Sequence, residues 1–347
     1  MSPNIVPILL MSLGLGTTMV FASSHWFLAW MGLEINTLAI LPLMIKSDHP
    51  RATEAAVKYF LSQAAAAALL LFASLTNGWV TGEWNILQLT HPVAAAAMIM
   101  ALALKLGVAP AHFWLPEVLQ GLDLMTGLIL STWQKLAPFA LITQLTSTNS
   151  QLLIFLGLSS TLVGGWGGLN QTQVRKILAY SSIAHLGWMI LVLQLNPSLT
   201  ILALFTYIIM TSAAFLTFKT TNSTNLKSLA TAWSIAPVLA ALAPLILLSL
   251  GGLPPLTGFA PKWLILMELA KQNLPLTAVI AALSALLSLF FYLRICYAMT
   301  LTTSPATSPY DAPWRAFLIV PHTMPLFTLA SILMLPLTPA LLFILTR

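Results

Sequence analysis

Four ionisable side chains lie inside long apolar stretches of the sequence, where a charge is expensive. They are Glu34, Lys105, Lys135 and Lys262. A charge at the centre of a membrane helix costs about 2.5–3.5 kcal/mol, so four of them cost on the order of 10–14 kcal/mol before they find partners. Burial disfavours the charged form of lysine, so a buried lysine can release and rebind a proton when a neighbouring charge changes. These residues therefore predict a proton relay, in which Glu34 modulates Lys105.

Two histidines are weaker candidates for the same relay. His112 and His185 lie in apolar stretches, and imidazole changes charge near neutral pH. A histidine in a span can equally be a packing residue, and the lysines can equally snorkel to the membrane surface or orient helices as fixed ion pairs. Snorkelling is disfavoured for Lys105 and Lys135 because each has at least eight residues of span on both sides. The acids expected to be solvated or interfacial are Glu117, Asp123 and Glu268.

Two segments rich in glycine and proline interrupt the apolar stretches and resemble each other. Gly107 and Gly252 align with a separation of 145 residues, and the prolines that follow keep the same spacing. Proline cannot donate to the carbonyl four residues earlier, so both helices should break here and leave carbonyls that must face protein or water. The predicted helix-break residues are Gly107, Pro110, Pro116, Gly252, Pro254, Pro255 and Pro261.

The composition requires lipid around these positions. Apolar residues make up 59% of the 347 residues and charged residues only 6%, against about 25% charged in soluble proteins. This composition excludes a soluble enzyme and a disordered tail, and the single cysteine, Cys296, excludes a disulfide scaffold or an iron–sulfur cluster. Nucleic-acid binding is disfavoured because the basic residues are scattered among short connectors. No nucleotide fingerprint, Ser/His/Asp set or zinc-ligand cluster is visible.

Eleven apolar runs approach the roughly 20 residues that a membrane helix needs. They are 5–22, 26–45, 57–76, 93–119, 124–145, 152–169, 177–193, 199–218, 235–269, 274–297 and 321–345. The first run lacks a basic leader and is too long for a cleaved signal, so it should be a retained span. The fourth and ninth runs carry the breaks and lie five spans apart, which predicts inverted halves, as in many transporters.

The connectors also predict sidedness and one packing feature. Lysine and arginine collect in the connectors after even-numbered spans, on the side that holds the N-terminus. The positive-inside rule places that side toward the cytoplasm, or toward the matrix in an organelle of bacterial descent. The odd number of spans puts the C-terminus on the opposite side. The glycine-rich run Gly164–Gly168 lacks the lysine of a phosphate loop and predicts close helix packing.

Several motifs along the whole chain give a more specific resemblance. They are Trp30–Thr37, Glu54–Phe60, Ala109–Val118, Thr132–Pro138, Gly168–Gln171, Arg175–Trp188, Gly252–Phe259 and Pro261–Trp263. In these motifs the chain resembles the antiporter-like membrane subunits of respiratory complex I in their short animal mitochondrial form. The resemblance implies an all-α polytopic membrane protein with two inverted five-helix repeats, at residues 1–148 and 149–300, and a connector with a terminal helix at 301–347.

The resemblance also implies a function and a location. It implies that Glu34, Lys105, Lys135 and Lys262 lie on a central polar axis and move protons through internal water. NADH, flavin, iron–sulfur clusters and ubiquinone would belong to partner subunits, so no cofactor is expected in this chain. The other membrane-arm and accessory subunits and the lipids of the mitochondrial inner membrane would surround it. The N-terminus would face the matrix and the C-terminus the intermembrane space.

Two other functions remain open at this stage. A free-standing cation/proton antiporter shares the same ancestral motifs and would exchange Na⁺ for H⁺ by itself. A purely structural membrane subunit would hold neighbouring subunits together and would have a dry interior. The favoured hypothesis is that a signal from the quinone end changes the Glu34–Lys105 interaction. The proton then passes from Lys105 through Lys135, with His185 as a further relay, to Lys262.

Overall fold

The computed structural model describes residues 5–46, 49–145, 150–234, 236–301 and 323–346. Within these ranges the chain consists of α-helices joined by short connectors, which confirms the predicted all-α class. The helices of the first half are α1 (Ile5–Ala22), α2 (Trp26–Ile45), α3 (Pro50–Thr81), α4 (Pro92–Leu106), α5 (Trp114–Gly121), α6 (Leu124–Ser131), α7 (Trp133–Gln144) and α8 (Ser150–Gly167). Those of the second half are α9 (Val174–Val192), α10 (Pro197–Thr220), α11 (Leu226–Ala230), α12 (Pro237–Gly251), α13 (Phe259–Lys271), α14 (Pro275–Leu301), α15 (Met324–Leu333) and α16 (Thr338–Thr346).

Several of these helices are long and apolar enough to cross a membrane. In the described ranges, α1, α2, α3, α10 and α14 meet this criterion, and α15 with α16 adds a sixth span if the pair is counted as one. That pair bends by 71°, whereas the sequence predicted one continuous final helix. Pro336 lies at the bend and cannot donate to the carbonyl of Ile332. The chain is a multi-pass membrane protein, and the total of eleven spans stays a prediction.

The first of two compact units, Met1–Gly157, is held together by close backbone contacts. Helices α1 and α2 cross where a Cβ on Gly16 would lie 2.9 Å from the carbonyl oxygen of Gly32, and the reverse contact has the same length. Only glycine allows so close an approach of two backbones. Helix α3 packs against α2, α4 and α5, and α7 packs against α1, α2 and α4. The interior of this unit therefore lies among α2, α3, α4 and α7.

The second unit, Leu158–Arg347, is built around α10. This helix packs against α9, α12, α13, α15 and α16, and its apolar side chains are buried on nearly all sides. The glycine-rich segment predicted to pack closely does so. A Cβ on Gly164 would lie 2.6 Å from the amide nitrogen of Ala184 in α9, and one on Gly165 would lie 3.0 Å from the carbonyl oxygen of Ser284 in α14.

Three helices of the first unit begin after a histidine cap. The Nδ1 atoms of His25, His49 and His91 accept hydrogen bonds of 3.1–3.3 Å from backbone N–H groups in the first turns of α2, α3 and α4. The first helical residue of α3 and of α4 is a proline, which has no N–H to leave unpaired. Helix α3 begins at Pro50, seven residues before the predicted start, so Arg51 and Lys58, which were expected in the connector after the second span, belong to this helix.

Candidate functional site

The first predicted break lies between α4 and α5. Gly107 closes α4 in the left-handed conformation, with φ of 78°, and its N–H donates to the carbonyl of Ala103 at 3.0 Å. The Ala109–Pro110 peptide bond is cis. The indole N–H of Trp114, at the start of α5, donates to the carbonyl of Leu104 at 3.0 Å. A side chain from beyond the break thus binds a carbonyl in the last turn of α4, which also accepts from the amide of Gly107 at 3.2 Å.

The second predicted break lies between α12 and α13 and has the same form. Gly252 closes α12 with φ of 81°, and the Pro254–Pro255 bond is cis. The N–H of Gly252 donates to the carbonyls of Leu248 and Ser249 at 3.1 and 2.9 Å. The hydroxyl of Thr257 in this break donates to the backbone carbonyl of Ser331 in α15.

Two of the predicted break residues lie at the start of a helix instead of interrupting one. Pro116 and Pro261 lie in the first turns of α5 and α13, where a missing N–H costs nothing. The carbonyls that they were expected to leave free accept other hydrogen bonds. His112 accepts from the amide of Leu115 at 3.0 Å, and Thr257 accepts from the amide of Ala260 at 3.3 Å.

A third break, which the sequence analysis missed, divides the predicted fifth span at Thr132. The carbonyl of Leu128 accepts from the Thr132 hydroxyl at 2.7 Å, from the Ser131 hydroxyl at 3.1 Å and from the Thr132 amide at 3.0 Å. Hydroxyls that bind backbone carbonyls in this way bend helices. Helix α7 therefore starts anew at Trp133, and Lys135 lies in its first turn.

Lys105 lies in the last turn of α4, just before the first break. Its side chain is 5% exposed, and its Nζ atom has no hydrogen-bond partner among the residues that the structure describes. No salt bridge joins Lys105 to Glu34 in the described ranges. The two predicted partners are thus not in direct contact.

A small polar cavity adjoins this lysine. Its volume is about 20 Å³, which exceeds the roughly 10–15 Å³ that one water molecule needs. Its polar lining residues are Asn36, Thr37, Tyr59, Gln63, Lys105, Gln134 and Lys135. Lys105 and Lys135, predicted independently of each other, therefore face the same cavity. Lys135 is 2% exposed, so both amines are withdrawn from the surface of the chain.

Glu34 reaches this cavity through a neighbouring side chain. Glu34 is half-buried on α2 and is not among the residues that line the cavity. Thr37, one turn later, does line the cavity, and its hydroxyl donates to Glu34 Oε2 at 2.9 Å and to the Glu34 carbonyl at 2.8 Å. Gln134 of α7 fixes this region by donating from Nε2 to the carbonyl of Asn36 at 3.2 Å.

The fourth predicted residue, Lys262, forms a separate site in the second unit. Its Nζ atom donates to the carbonyl of Gly251 at 2.7 Å and lies 3.4 Å from that of Leu250. These carbonyls end α12, where the helix dipole favours a positive charge. The sequence predicted that Pro255 would free the Gly251 carbonyl, and the structure places the predicted lysine on it.

His185 shares a cavity with Lys262, whereas His112 lies elsewhere. The cavity beside Lys262 and His185 has a volume of about 10 Å³, the lower limit for one water. His112 is buried in the first break with Nδ1 3.2 Å from the carbonyl oxygen of Pro110, and it lines neither cavity. Glu117, expected at a solvated position, is half-exposed and binds Lys58 at 2.7 Å.

An alanine at Gly252 should destabilise the protein more than an alanine at Gly107. A Cβ in the left-handed conformation costs roughly 1–2 kcal/mol at either position. At Gly252 the Cβ would also lie 2.8 Å from Cδ of Lys262, whereas at Gly107 its nearest neighbour is Cδ1 of Leu115 at 3.2 Å. Displacing the lysine from its carbonyl should add about 1 kcal/mol. Thermal unfolding of the two purified variants in detergent measures the difference, and equal destabilisation would contradict it.

Two protein-family models match adjoining parts of the chain. Residues 23–288 match the family "NADH:quinone oxidoreductase/Mrp antiporter, TM", and residues 289–342 match "NADH dehydrogenase subunit 2 C-terminus". NADH-ubiquinone oxidoreductase chain 2 of Salmo salar is 67% identical over 348 residues, covering 100% of this chain and 100% of that protein.

Two solved structures are similar in fold. A chain in the structure of respiratory complex I from Thermus thermophilus has a TM-score of 0.82 and 28% identity, covering 97% of this chain and 80% of that chain. A chain of the Mrp complex from Dietzia sp. has a TM-score of 0.80 and 22% identity, covering 87% of this chain and 61% of that chain, which shows a shared fold only. From the family matches and the full-length identity, the chain belongs to the NADH-ubiquinone oxidoreductase chain 2 family.

Proposed function

We propose that this chain is the proton-translocating membrane subunit of an NADH–ubiquinone oxidoreductase in the mitochondrial inner membrane. NADH oxidation and ubiquinone reduction, with the flavin and iron–sulfur clusters that they need, belong to partner subunits. This chain supplies a route for protons across the membrane. The observation that carries the proposal is the buried amine of Lys105, which has no partner in the described ranges and adjoins a cavity large enough for water.

The energetic cost of this arrangement supports a role beyond scaffolding. A lysine at membrane depth costs about 2.5–3.5 kcal/mol, and a buried donor without a partner costs a further 1–3 kcal/mol or so. A purely structural subunit would gain stability by placing an apolar side chain at position 105. A second amine, that of Lys135, lines the same cavity and adds its own cost of burial at membrane depth. Two poorly solvated amines at one cavity large enough for water are suited to taking up and releasing protons.

The proposed order of the proton-transfer steps is the one expected from the amino-acid sequence. A signal from the quinone end changes the interaction between Glu34 and Lys105, and Lys105 exchanges a proton with the cavity that Lys135 also lines. Protons then reach Lys262 through internal water, with His185 beside that lysine as a further relay. His112 keeps its candidate role with less support, because it lines neither of the two cavities.

We also propose the arrangement of the chain in the membrane. Two inverted five-helix repeats, at residues 1–148 and 149–300, precede a connector and a terminal helix at 301–347, giving eleven spans. The two breaks support this repeat, since each combines a left-handed glycine with a proline three residues later, at positions 145 residues apart. The basic connectors support a matrix-facing N-terminus and a C-terminus in the intermembrane space. Other membrane-arm subunits, accessory subunits and lipids would cover the outer faces.

A free-standing cation/proton antiporter is the second candidate, because the matching family covers Mrp antiporters as well as quinone oxidoreductases. The two functions differ in what the isolated chain can do. An antiporter reconstituted alone in sealed vesicles would convert a Na⁺ gradient into a pH change. A complex subunit would be inert alone and would translocate protons only when NADH is oxidised by the assembled complex.

The test therefore compares the isolated chain with the assembled complex in vesicles of the same lipid. We expect no Na⁺-driven pH change with the chain alone and NADH-driven, uncoupler-sensitive acidification with the complex. The chain should also co-purify with a flavin-containing assembly that oxidises NADH. Na⁺/H⁺ exchange by the chain alone would overturn the proposal in favour of the antiporter.

A further inference from the structure

The cavity beside Lys105 collects buried polar atoms that have no partner. In the described ranges, six buried side-chain nitrogen or oxygen atoms lack a hydrogen-bond partner. Three of them belong to residues that line this one cavity, namely Asn36 Oδ1, Gln63 Nε2 and Lys105 Nζ. These side chains are 2%, 3% and 5% exposed. Buried polar groups of this kind are usually satisfied by an ordered water, which makes about three hydrogen bonds.

The cavity has the size and the chemistry to hold such a water. Its volume of about 20 Å³ is above the roughly 10–15 Å³ that one water requires. Gln63 and Lys105 can donate to the water oxygen, and the amide of Asn36 and the hydroxyl of Thr37 offer further polar groups in the same lining. The site is thus built from three helices, α2, α3 and α4, of which α3 packs against both of the others.

Thr37 connects this water site to Glu34. Its hydroxyl carries one hydrogen, which is shared between Glu34 Oε2 at 2.9 Å and the Glu34 carbonyl at 2.8 Å. When that hydrogen points to Oε2, the lone pairs of the Thr37 oxygen remain free to accept from a water in the cavity. When it points to the backbone carbonyl, the connection to the carboxylate is interrupted. The rotation of one hydroxyl therefore opens or closes the link.

We propose that the Thr37 hydroxyl and a water held by Gln63 and Asn36 form the hydrogen-bonded link through which a proton passes between Lys105 and Glu34. In one direction, an N–H bond of the Lys105 ammonium breaks and its proton joins the water. A proton of the water joins Thr37 Oγ1, whose own proton joins Glu34 Oε2. The step starts with an ammonium and a carboxylate and ends with a neutral amine and a carboxylic acid. The reverse direction uses the same atoms.

This inference rests on the proposed function and adds three residues that carry no charge to its site, namely Thr37, Gln63 and Asn36. It explains how Glu34 and Lys105 exchange a proton although no salt bridge joins them in the part of the chain that the structure describes. Thr37 takes part in the transfer directly, whereas Gln63 and Asn36 position the water. None of the three residues is ionisable, so a search of the sequence for buried charges passes over them.

The test uses Thr37→Val and Thr37→Ser in the assembled complex, with Thr17→Val as the matched control. Valine keeps the shape of threonine without the hydroxyl, and serine keeps the hydroxyl. Thr17 is also buried in the first unit and its hydroxyl also binds its own helix, at 2.9 Å from the carbonyl of Gly14. We expect NADH-driven proton translocation to fall at least about tenfold in Thr37→Val and to stay near the wild-type rate in the other two variants.

The outcomes separate this inference from the proposed function. If Thr37→Val pumps normally while a variant without the Lys105 amine does not, the link is overturned and the proposed function stands. Equal losses in Thr37→Val and Thr37→Ser, or in Thr17→Val, would also overturn it, because they would indicate damaged packing. Gln63→Met supplies a second measurement. We expect a high-resolution map of the wild-type complex to show a water within about 3.2 Å of Gln63 Nε2 and Lys105 Nζ, and the Gln63→Met map to lack it.

Discussion

Replacing Lys105 by Met should reduce NADH-driven proton translocation through this subunit by about a hundredfold or more. General acid–base groups contribute roughly 10²–10⁴-fold to proton transfer, and a thioether can neither hold nor release a proton. The same substitution should leave the protein as stable as the wild type or more stable by about 1–3 kcal/mol, because it removes a buried donor without a partner in the described ranges. Proton uptake and NADH oxidation in sealed vesicles, together with thermal unfolding of the complex, measure both effects.

Lys105→Arg is the matched variant that separates charge from proton exchange. Arginine keeps the positive charge but does not release its proton under these conditions. If Lys105 only holds Glu34 in place electrostatically, Lys105→Arg should pump like the wild type and Lys105→Met should not. If Lys105 carries protons, both variants should fail. If Lys105→Met translocates as many protons per NADH as the wild type, at the same rate of coupled NADH oxidation, the role proposed for this lysine would be wrong.

The helix breaks show which features of the fold could be predicted from the sequence and which could not. The breaks at Gly107 and Gly252 were predicted because glycine and proline leave a direct mark on backbone hydrogen bonding. The break at Thr132 was missed because no glycine or proline lies there. Its cause is two adjacent hydroxyls that compete for the Leu128 carbonyl, and Ser–Thr pairs occur in many unbroken helices. The bend after α15 carried a visible signal, Pro336, which the prediction of a continuous final span overlooked.

For a related reason, only part of the candidate site could be predicted from the sequence. Buried charges in an apolar chain are costly and rare, so Glu34, Lys105, Lys135 and Lys262 could be selected from the sequence without knowledge of their neighbours. Uncharged groups such as Asn36 and Gln63 cost less and are harder to distinguish from packing residues. Their significance depends on facing the same cavity as Lys105, which is a fact of three-dimensional packing. The sequence therefore predicted the charged residues of the candidate site and not the uncharged residues that line the same cavity.

Replacing Lys262 by Met should also abolish proton transfer at its site, but with the opposite effect on stability. The Lys262 amine donates to the Gly251 carbonyl at 2.7 Å, with the Leu250 carbonyl at 3.4 Å. Methionine would leave the end of α12 without this donor, and a buried carbonyl without a partner costs about 1–3 kcal/mol. We therefore expect Lys262→Met to unfold at a lower temperature than the wild type, whereas Lys105→Met unfolds at the same temperature or a higher one.

Lys262→Arg tests the physical cause of this difference. A guanidinium can donate to the same carbonyls and satisfy the negative end of the helix dipole, so most of the lost stability should return. Proton transfer should not return, because the guanidinium stays charged. If Lys262→Met and Lys105→Met shift the unfolding temperature in the same direction, the contrast between a bonded and an unbonded buried amine would be wrong. If Lys262→Arg pumps normally, Lys262 would act through its fixed charge. Its role would then be to bind the carbonyls at the end of α12 and not to exchange protons.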